Sequence, residues 1–238
     1  MTGSHIRTAT FLIAAWGLVL GAWGQATPKP VGIFEDHREF GNQTMEGDAT
    51  YDPQTGVYEI HGTGGDPSAD VTNYGHAAYS EITGDFRLKA KVSSDGPRAA
   101  WMGFVDDLED GNSSWYTVWV EGKSNTYPDT ALKACTFWRT SYGAPWEAGE
   151  WLSPDIQDGR MEVVREGNLF SAYYYHRDTG ERILFDSRTI ELTDPIHVAL
   201  ASWSGTYAQY NVAHFSEVEL TLSQGQQPSA VEGWELYK

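Results

Sequence analysis

Residues 85–92 read Asp-Phe-Arg-Leu-Lys-Ala-Lys-Val. Phe86, Leu88, Ala90 and Val92 alternate with Arg87, Lys89 and Lys91. Successive side chains of an extended backbone point to opposite faces, so this spacing predicts a strand with one buried and one wet face. Working outward, similar runs lie at 57–62, 76–82, 99–106, 114–121 and 131–140. Further runs follow at 160–165, 169–176, 182–186, 196–203 and 212–222. Between them stand Thr83-Gly84-Asp85, Glu166-Gly167-Asn168 and Asp178-Thr179-Gly180-Glu181, short Gly-bearing joints expected to be hairpins. No segment repeats its apolar residues with a helical period. The expected class is all-β, a two-sheet antiparallel jelly-roll sandwich, with a barrel compatible with the same pattern.

The chain has 238 residues with a formal net charge of −17, and 13% of it is aromatic. That charge argues against nucleic acid, whose binding rests on clustered Lys and Arg, and against an anionic membrane surface. The aromatic content is too high for a disordered acidic segment. A single Cys, Cys135, rules out a disulfide framework and is expected to be a buried, inert thiol.

Residues 1–26 carry Arg7 in a short polar start, an apolar run at 11–20 and the small-residue exit Gly24-Gln25-Ala26. This is the pattern of a secretory signal peptide, too short for a comfortable membrane span; an uncleaved anchor is the competing reading. The expected organisation is therefore a signal peptide at 1–26, a β-sandwich at 27–222 and a polar tail at 223–238. The expected location is extracellular or at the cell surface, with no membrane insertion after cleavage.

Three blocks, residues 33–66, 80–92 and 165–174, resemble the concanavalin A-like lectin/glucanase superfamily, and more closely its laminin-G-like secreted bacterial modules. The shared features are framework: turn glycines, core strands and one hairpin. The resemblance implies a jelly roll that is often carbohydrate-binding, sometimes calcium-dependent and sometimes an extracellular spacer. Residues 67–75 and 100–106 depart from the family pattern where a ligand pocket is expected, so family binding residues are not transferred.

The Trp residues carry the functional expectation. In 114–121, Tyr116, Val118 and Val120 share one face, and Trp115, Thr117, Trp119 and Glu121 share the other. The Val-bearing face belongs to the core, which sends Trp115 and Trp119 outward. The same parity sends Trp101 outward from Ala100, Met102 and Phe104, and places His197 and Trp203 opposite Ile196, Val198 and Leu200. Two arrangements fit: an open aromatic platform, on which sugar rings would stack, or a second core beneath covering loops. The platform reading assigns carbohydrate binding to Trp101, Trp115, Thr117, Trp119, Glu121 and Arg139. It adds Tyr142 and Trp146 from the Gly/Pro-rich loop at 140–153.

Asp106, Asp107 and Asp110 offer hard oxygen ligands for a possible Ca2+, although Leu108 and Thr117 break the EF-hand pattern. Asp66 and Asp70 form a second acidic candidate. No glucanase-like Glu-x-Asp-x-x-Glu triplet, nucleophile elbow or zinc-protease helix occurs. The expectation is a secreted, non-catalytic lectin-like module whose partner is a polysaccharide or glycan. A structural or adhesive role, with a protein partner held by the C-terminal tail, and a divergent glycosidase or lyase are the other readings.

Overall fold

The protein is described here from a computed structural model covering residues 27–41, 45–64, 75–96, 98–121, 133–152 and 156–223. The expected signal peptide, the tail from 224 onward, and Asp66 and Asp70 lie outside these residues. Two seven-stranded sheets face one another, and every strand pairing within them is antiparallel.

In the front sheet, β1 (Asp36–Phe40), β4 (Gly75–Ile82), β13 (Ile196–Trp203) and β6 (Ala99–Val105) lie side by side in that order. They continue into β7 (Trp115–Glu121), β8 (Lys133–Arg139) and the short β9 (Glu147–Ala148). The back sheet begins with β12 (Arg182–Thr189), β11 (Leu169–His176) and β10 (Ile156–Glu166). It ends with β5 (Phe86–Asp95), β14 (Thr206–Leu222), β3 (Val57–Gly64) and β2 (Asp48–Asp52). The two separate strand orders make this a sandwich and dispose of the barrel.

The core between the sheets is built by alternation. Phe86, Leu88, Ala90 and Val92 of β5 point into it, opposite Ala100, Met102, Phe104, Tyr116, Val118 and Val120. The Tyr116 hydroxyl donates to Asp186 Oδ2 across the sandwich at 3.0 Å, which lets a fully buried phenol keep a partner. At the opposite side Asn211, fully buried, accepts from Ser94 Oγ at 2.9 Å and donates to the Ala99 carbonyl at 3.2 Å. Gly62 is required where β3 meets β13, because a Cβ there would stand 2.0 Å from the Ser202 carbonyl oxygen.

Two of the three Gly-bearing joints are hairpins, β10–β11 and β11–β12. The third is not: Thr83-Gly84-Asp85 carries the chain from β4 in the front sheet to β5 in the back sheet. Side chains hold this crossover in place. Gly84 N donates to Asp194 Oδ2 at 2.9 Å, and Arg165 Nη1 donates to the Gly84 carbonyl at 3.2 Å. A short turn fixes only a reversal of direction, and which sheet receives the next strand depends on what the new strand buries. Cys135 is fully buried, with its thiol donating to the Gly149 carbonyl at 3.2 Å and its pKa pushed up to about 12 by burial.

Candidate functional site

The outward surface of the front sheet has two halves. Over β6, β7, β8 and β13 it is aromatic. Register places Trp101 beside Trp119 and Trp115 beside Arg139, on the face that alternation predicted. Trp119 lies 4.9 Å from Trp203 and 4.4 Å from Phe137 between ring centroids, and Phe40 meets Trp101 edge-on at 5.7 Å.

These rings are not an open platform. Trp101 and Trp115 are 4% exposed and Trp119 is 8% exposed, so they form a second hydrophobic cluster with Phe40, Tyr79, Leu108 and Trp203. The physical reason is area: an indole hides roughly 150–250 Å², worth about 4–6 kcal/mol at ~25 cal/mol/Å². Several adjacent indoles left in water would forgo that stabilisation.

The polar members expected to meet sugar hydroxyls are also committed elsewhere. Thr117, 1% exposed, accepts the Trp119 Nε1 proton at 2.8 Å. Arg139, 1% exposed, donates through Nη1 to the carbonyls of Gly111 at 2.6 Å and Ser113 at 3.2 Å, pinning the loop between β6 and β7. Glu121 is half-buried, 3.9 Å from Arg98, with its carboxyl pKa raised by that burial. Only the rim stays accessible: Tyr142 is 68% exposed, Trp151 is 45% exposed, and Trp146 is half-buried at 5.5 Å from Phe137.

In the acidic loop the carboxylates of Asp107 and Asp110 are engaged within their own turn. Asp107 Oδ1 accepts the Glu109 amide at 2.8 Å and Asp110 Oδ1 accepts the Asn112 amide at 2.9 Å, so both carboxylates cap their own turn. Asp106 is raised in pKa, by burial first and by neighbouring Asp107 second. Among the described residues no three His, Cys, Asp or Glu side chains converge as metal ligands.

Beyond the aromatic half a groove of about 1060 Å³ wraps the β1 edge: Asp36, Arg38, Tyr79, Glu81 and His197 line it from the outward face, and His37, Glu39 and His76, of opposite parity, line it from the face turned toward β2. Its walls come from Thr27–Lys29, from Glu35–Glu39, from Glu46–Asp48 at the start of β2, and from His76, Tyr79 and Glu81 on β4. Glu109 and His197 close it toward the aromatic half. Of these residues alternation singled out His197 alone, since β1 (DHREF) has no apolar rhythm and the groove joins segments far apart in the chain. The one available signal was the crowding of five acids into 35–48.

The groove side chains hold each other in fixed orientation. Tyr79 hydroxyl donates to Asp36 Oδ2 at 3.0 Å and accepts from Arg38 Nε at 2.8 Å, and Arg38 also pairs with Glu109. Burial opposes the Arg38 charge, yet the bonds to Tyr79 and Glu109 outweigh it and raise the guanidinium pKa. Tyr79 also packs edge-on against His197 at 5.2 Å. At the deep end His37 Nδ1 and His76 Nε2 share a hydrogen bond of 2.9 Å. Burial, with His37 alongside, lowers the His76 pKa to about 4, so this pair is neutral at neutral pH. Glu39 Oε1 accepts the Gly47 amide at 2.5 Å, joining β1 to the lip of β2.

Strand order and register define the class: this is a two-sheet antiparallel β-sandwich of the jelly-roll kind. No family model and no curated protein matches the chain. Solved structures do. A Saccharomyces cerevisiae protein described as functionally unknown is 13% identical, with a TM-score of 0.54 over 79% of this chain and 97% of that one. The exoplasmic/lumenal domain of VIP36 in its Ca2+/Man3GlcNAc-bound form is 9% identical, covers 72% of this chain and 81% of its own, and has a TM-score of 0.44. Basic winged bean lectin with Tn-antigen is 8% identical over 76% of this chain and 97% of that one, with a TM-score of 0.43. Likeness at these identities concerns the fold. The narrower laminin-G-like resemblance rests on the sequence blocks alone.

Proposed function

We propose that this chain is a carbohydrate-binding β-sandwich that takes its glycan in the polar groove over β1, β4 and β13. The observation that carries the reading is the groove itself, about 1060 Å³ walled almost wholly by hydrogen-bonding side chains. A polyhydroxyl ligand needs donors and acceptors held at fixed angles, and the Asp36–Tyr79–Arg38 network supplies them preorganised. The Tyr79 and His197 rings add a patch on which C–H faces of a sugar would rest. Binding without turnover is part of the proposal, as is export directed by residues 1–26. No helix among the described residues is long and apolar enough to cross a membrane.

The experiment is a glycan and polysaccharide binding screen on the full chain, run with calcium and again with chelator. It is repeated with Asp36→Asn and Glu81→Gln. Each substitution should weaken the strongest interaction by about tenfold, the size of one hydrogen bond to a charged group, while circular dichroism stays unchanged. Folded variants that bind as tightly as the parent would remove the groove as the site. Release of reducing sugar from any bound polysaccharide would remove the non-catalytic reading.

A further inference from the structure

On one side of the sandwich the two sheets end at β1 and β2, and the groove lies along this seam. Among the described strands β1, five residues long, pairs with β4 alone. Across the seam its Glu39 Oε1 accepts the Gly47 amide at 2.5 Å. The 45–48 segment is tied from its other side: the Thr63 hydroxyl donates to the Met45 carbonyl at 3.3 Å, and the Tyr210 hydroxyl to the Glu46 carbonyl at 2.6 Å.

His76 of β4 fills the seam. It is 3% exposed, and its Nε2 shares a 2.9 Å hydrogen bond with His37 Nδ1 of β1. The opposite side of the ring lies against Gly47, where a Cβ would stand 2.6 Å from His76 Nδ1, and that buried nitrogen has no hydrogen-bond partner. A neutral imidazole tolerates this packing. An imidazolium does not: both its nitrogens carry protons, and the one on Nδ1 is a charged donor buried without an acceptor. The His37 ring offers no relief, because a bond between two imidazoles requires one of them to keep a bare nitrogen. The charged groups around the ring pull both ways. Asp48 of β2 favours the imidazolium, while His37, Lys29 just before β1 and His61 of β3 oppose it. Asp36 acts on His37, and Glu39 stands opposite His76 in the β1–β4 register. Burial outweighs the acids and holds the His76 pKa at about 4.

We propose that His76 is an acid-operated latch, whose protonation parts β1 from the 45–48 segment and opens the groove between them. The closed seam accepts only the neutral ring, whereas an open seam gives Nδ1 to water, so protons drive the opening by mass action. Glu39 adds to it at still lower pH, since a protonated carboxyl is a poorer acceptor for the Gly47 amide. A glycan held between the β1 wall and the 46–48 wall loses one of the two when the seam parts. That consequence rests on the carbohydrate reading above; the opening itself does not.

The test is amide hydrogen exchange on the full chain without ligand, at pH 7 and pH 5, corrected for intrinsic rates. With His76 regaining its ordinary pKa in the open state, exchange over 36–40 and 45–48 should accelerate roughly twentyfold at pH 5, while β5 is unchanged. His76→Gln, which takes up no proton, should abolish the acceleration, and Glu39→Gln should keep it. A parent seam that accelerates no more than β5 overturns the proposal, and so does equal acceleration in the His76→Gln protein. A glycan from the binding screen should lose about tenfold more affinity between pH 7 and pH 4 in the parent than in His76→Gln, as the competent fraction falls. Equal losses in the two proteins overturn the coupling of the latch to the groove. A chain that binds no glycan at pH 7 overturns the carbohydrate reading, and exchange alone then decides the latch.

Discussion

His76 shows how one side chain carries stability and site chemistry together. Its pKa is held at about 4 against an ordinary 6.5, by burial and then by His37, with Asp48 pulling the other way and Lys29 and His61 adding to the lowering. The unfolded chain therefore binds more protons than the folded one between those values. The stability this group contributes is whole above pH 6.5 and is lost as pH falls toward 4, a change of about 3 kcal/mol. Thermal unfolding across that interval should show the decline, and His76→Gln should flatten it relative to the parent. Parallel declines in parent and variant would mean that the neighbouring carboxylates, not this imidazole, set the acid limb.

Among the elements, β10 and β11 make the back sheet's outer surface an ion-pair ladder. Glu162 of β10 is fully buried, and it accepts from Arg182 Nη2 at 2.5 Å, Arg87 Nη2 at 2.7 Å and Tyr175 hydroxyl at 2.8 Å. Burial alone would raise its pKa, but those three donors reverse the sign and lower it. Glu162→Gln should cost about 1–2 kcal/mol in urea unfolding, discounted because both guanidinium groups are partly exposed. The native contribution should fade as pH falls below the usual carboxylate range, since the folded carboxylate holds its charge longer than the unfolded one. A loss below a few tenths of a kcal/mol would mean that water serves the two arginines equally well.

Most strands were legible from alternation, β5 most plainly, because each needs only one apolar face. β1 (DHREF), β2 (DATYD) and the two-residue β9 were not, because short edge strands that bury at most one apolar side chain, Phe40 in β1 and Ala49 in β2, carry no apolar rhythm. The facing of Trp101, Trp115 and Trp119 was legible too, since it depends only on parity along one strand. Their exposure was not, because what lies over a face comes from elsewhere in the chain. The groove was hidden for the same reason: Lys29, Glu39, Asp48, His76 and His197 meet only once β1, β4 and β13 are neighbours.

The whole molecule thus sets a closed aromatic cluster on the front sheet beside an open acidic groove that wraps the β1 edge. The division makes opposite forecasts for substitutions in the two halves. Trp119→Ala, at an 8%-exposed ring packed on Phe137 and Trp203, should destabilise the fold by about 3–5 kcal/mol, read as a lowered urea midpoint. A fully stable Trp119→Ala protein with weakened sugar binding would restore the open-platform arrangement. Glu46→Gln and Asp48→Asn should instead leave stability within about 0.5 kcal/mol, as surface changes do. The central claim, that the groove rather than the aromatic surface receives the ligand, is tested most directly by amide hydrogen exchange on the full chain, with and without a bound glycan. Protection is expected at 35–39, 46–48 and 76–81, three of the segments that line the groove. Protection confined to 140–152, the loop bearing Tyr142, Trp146 and Trp151, would contradict the account and return the site to the aromatic rim.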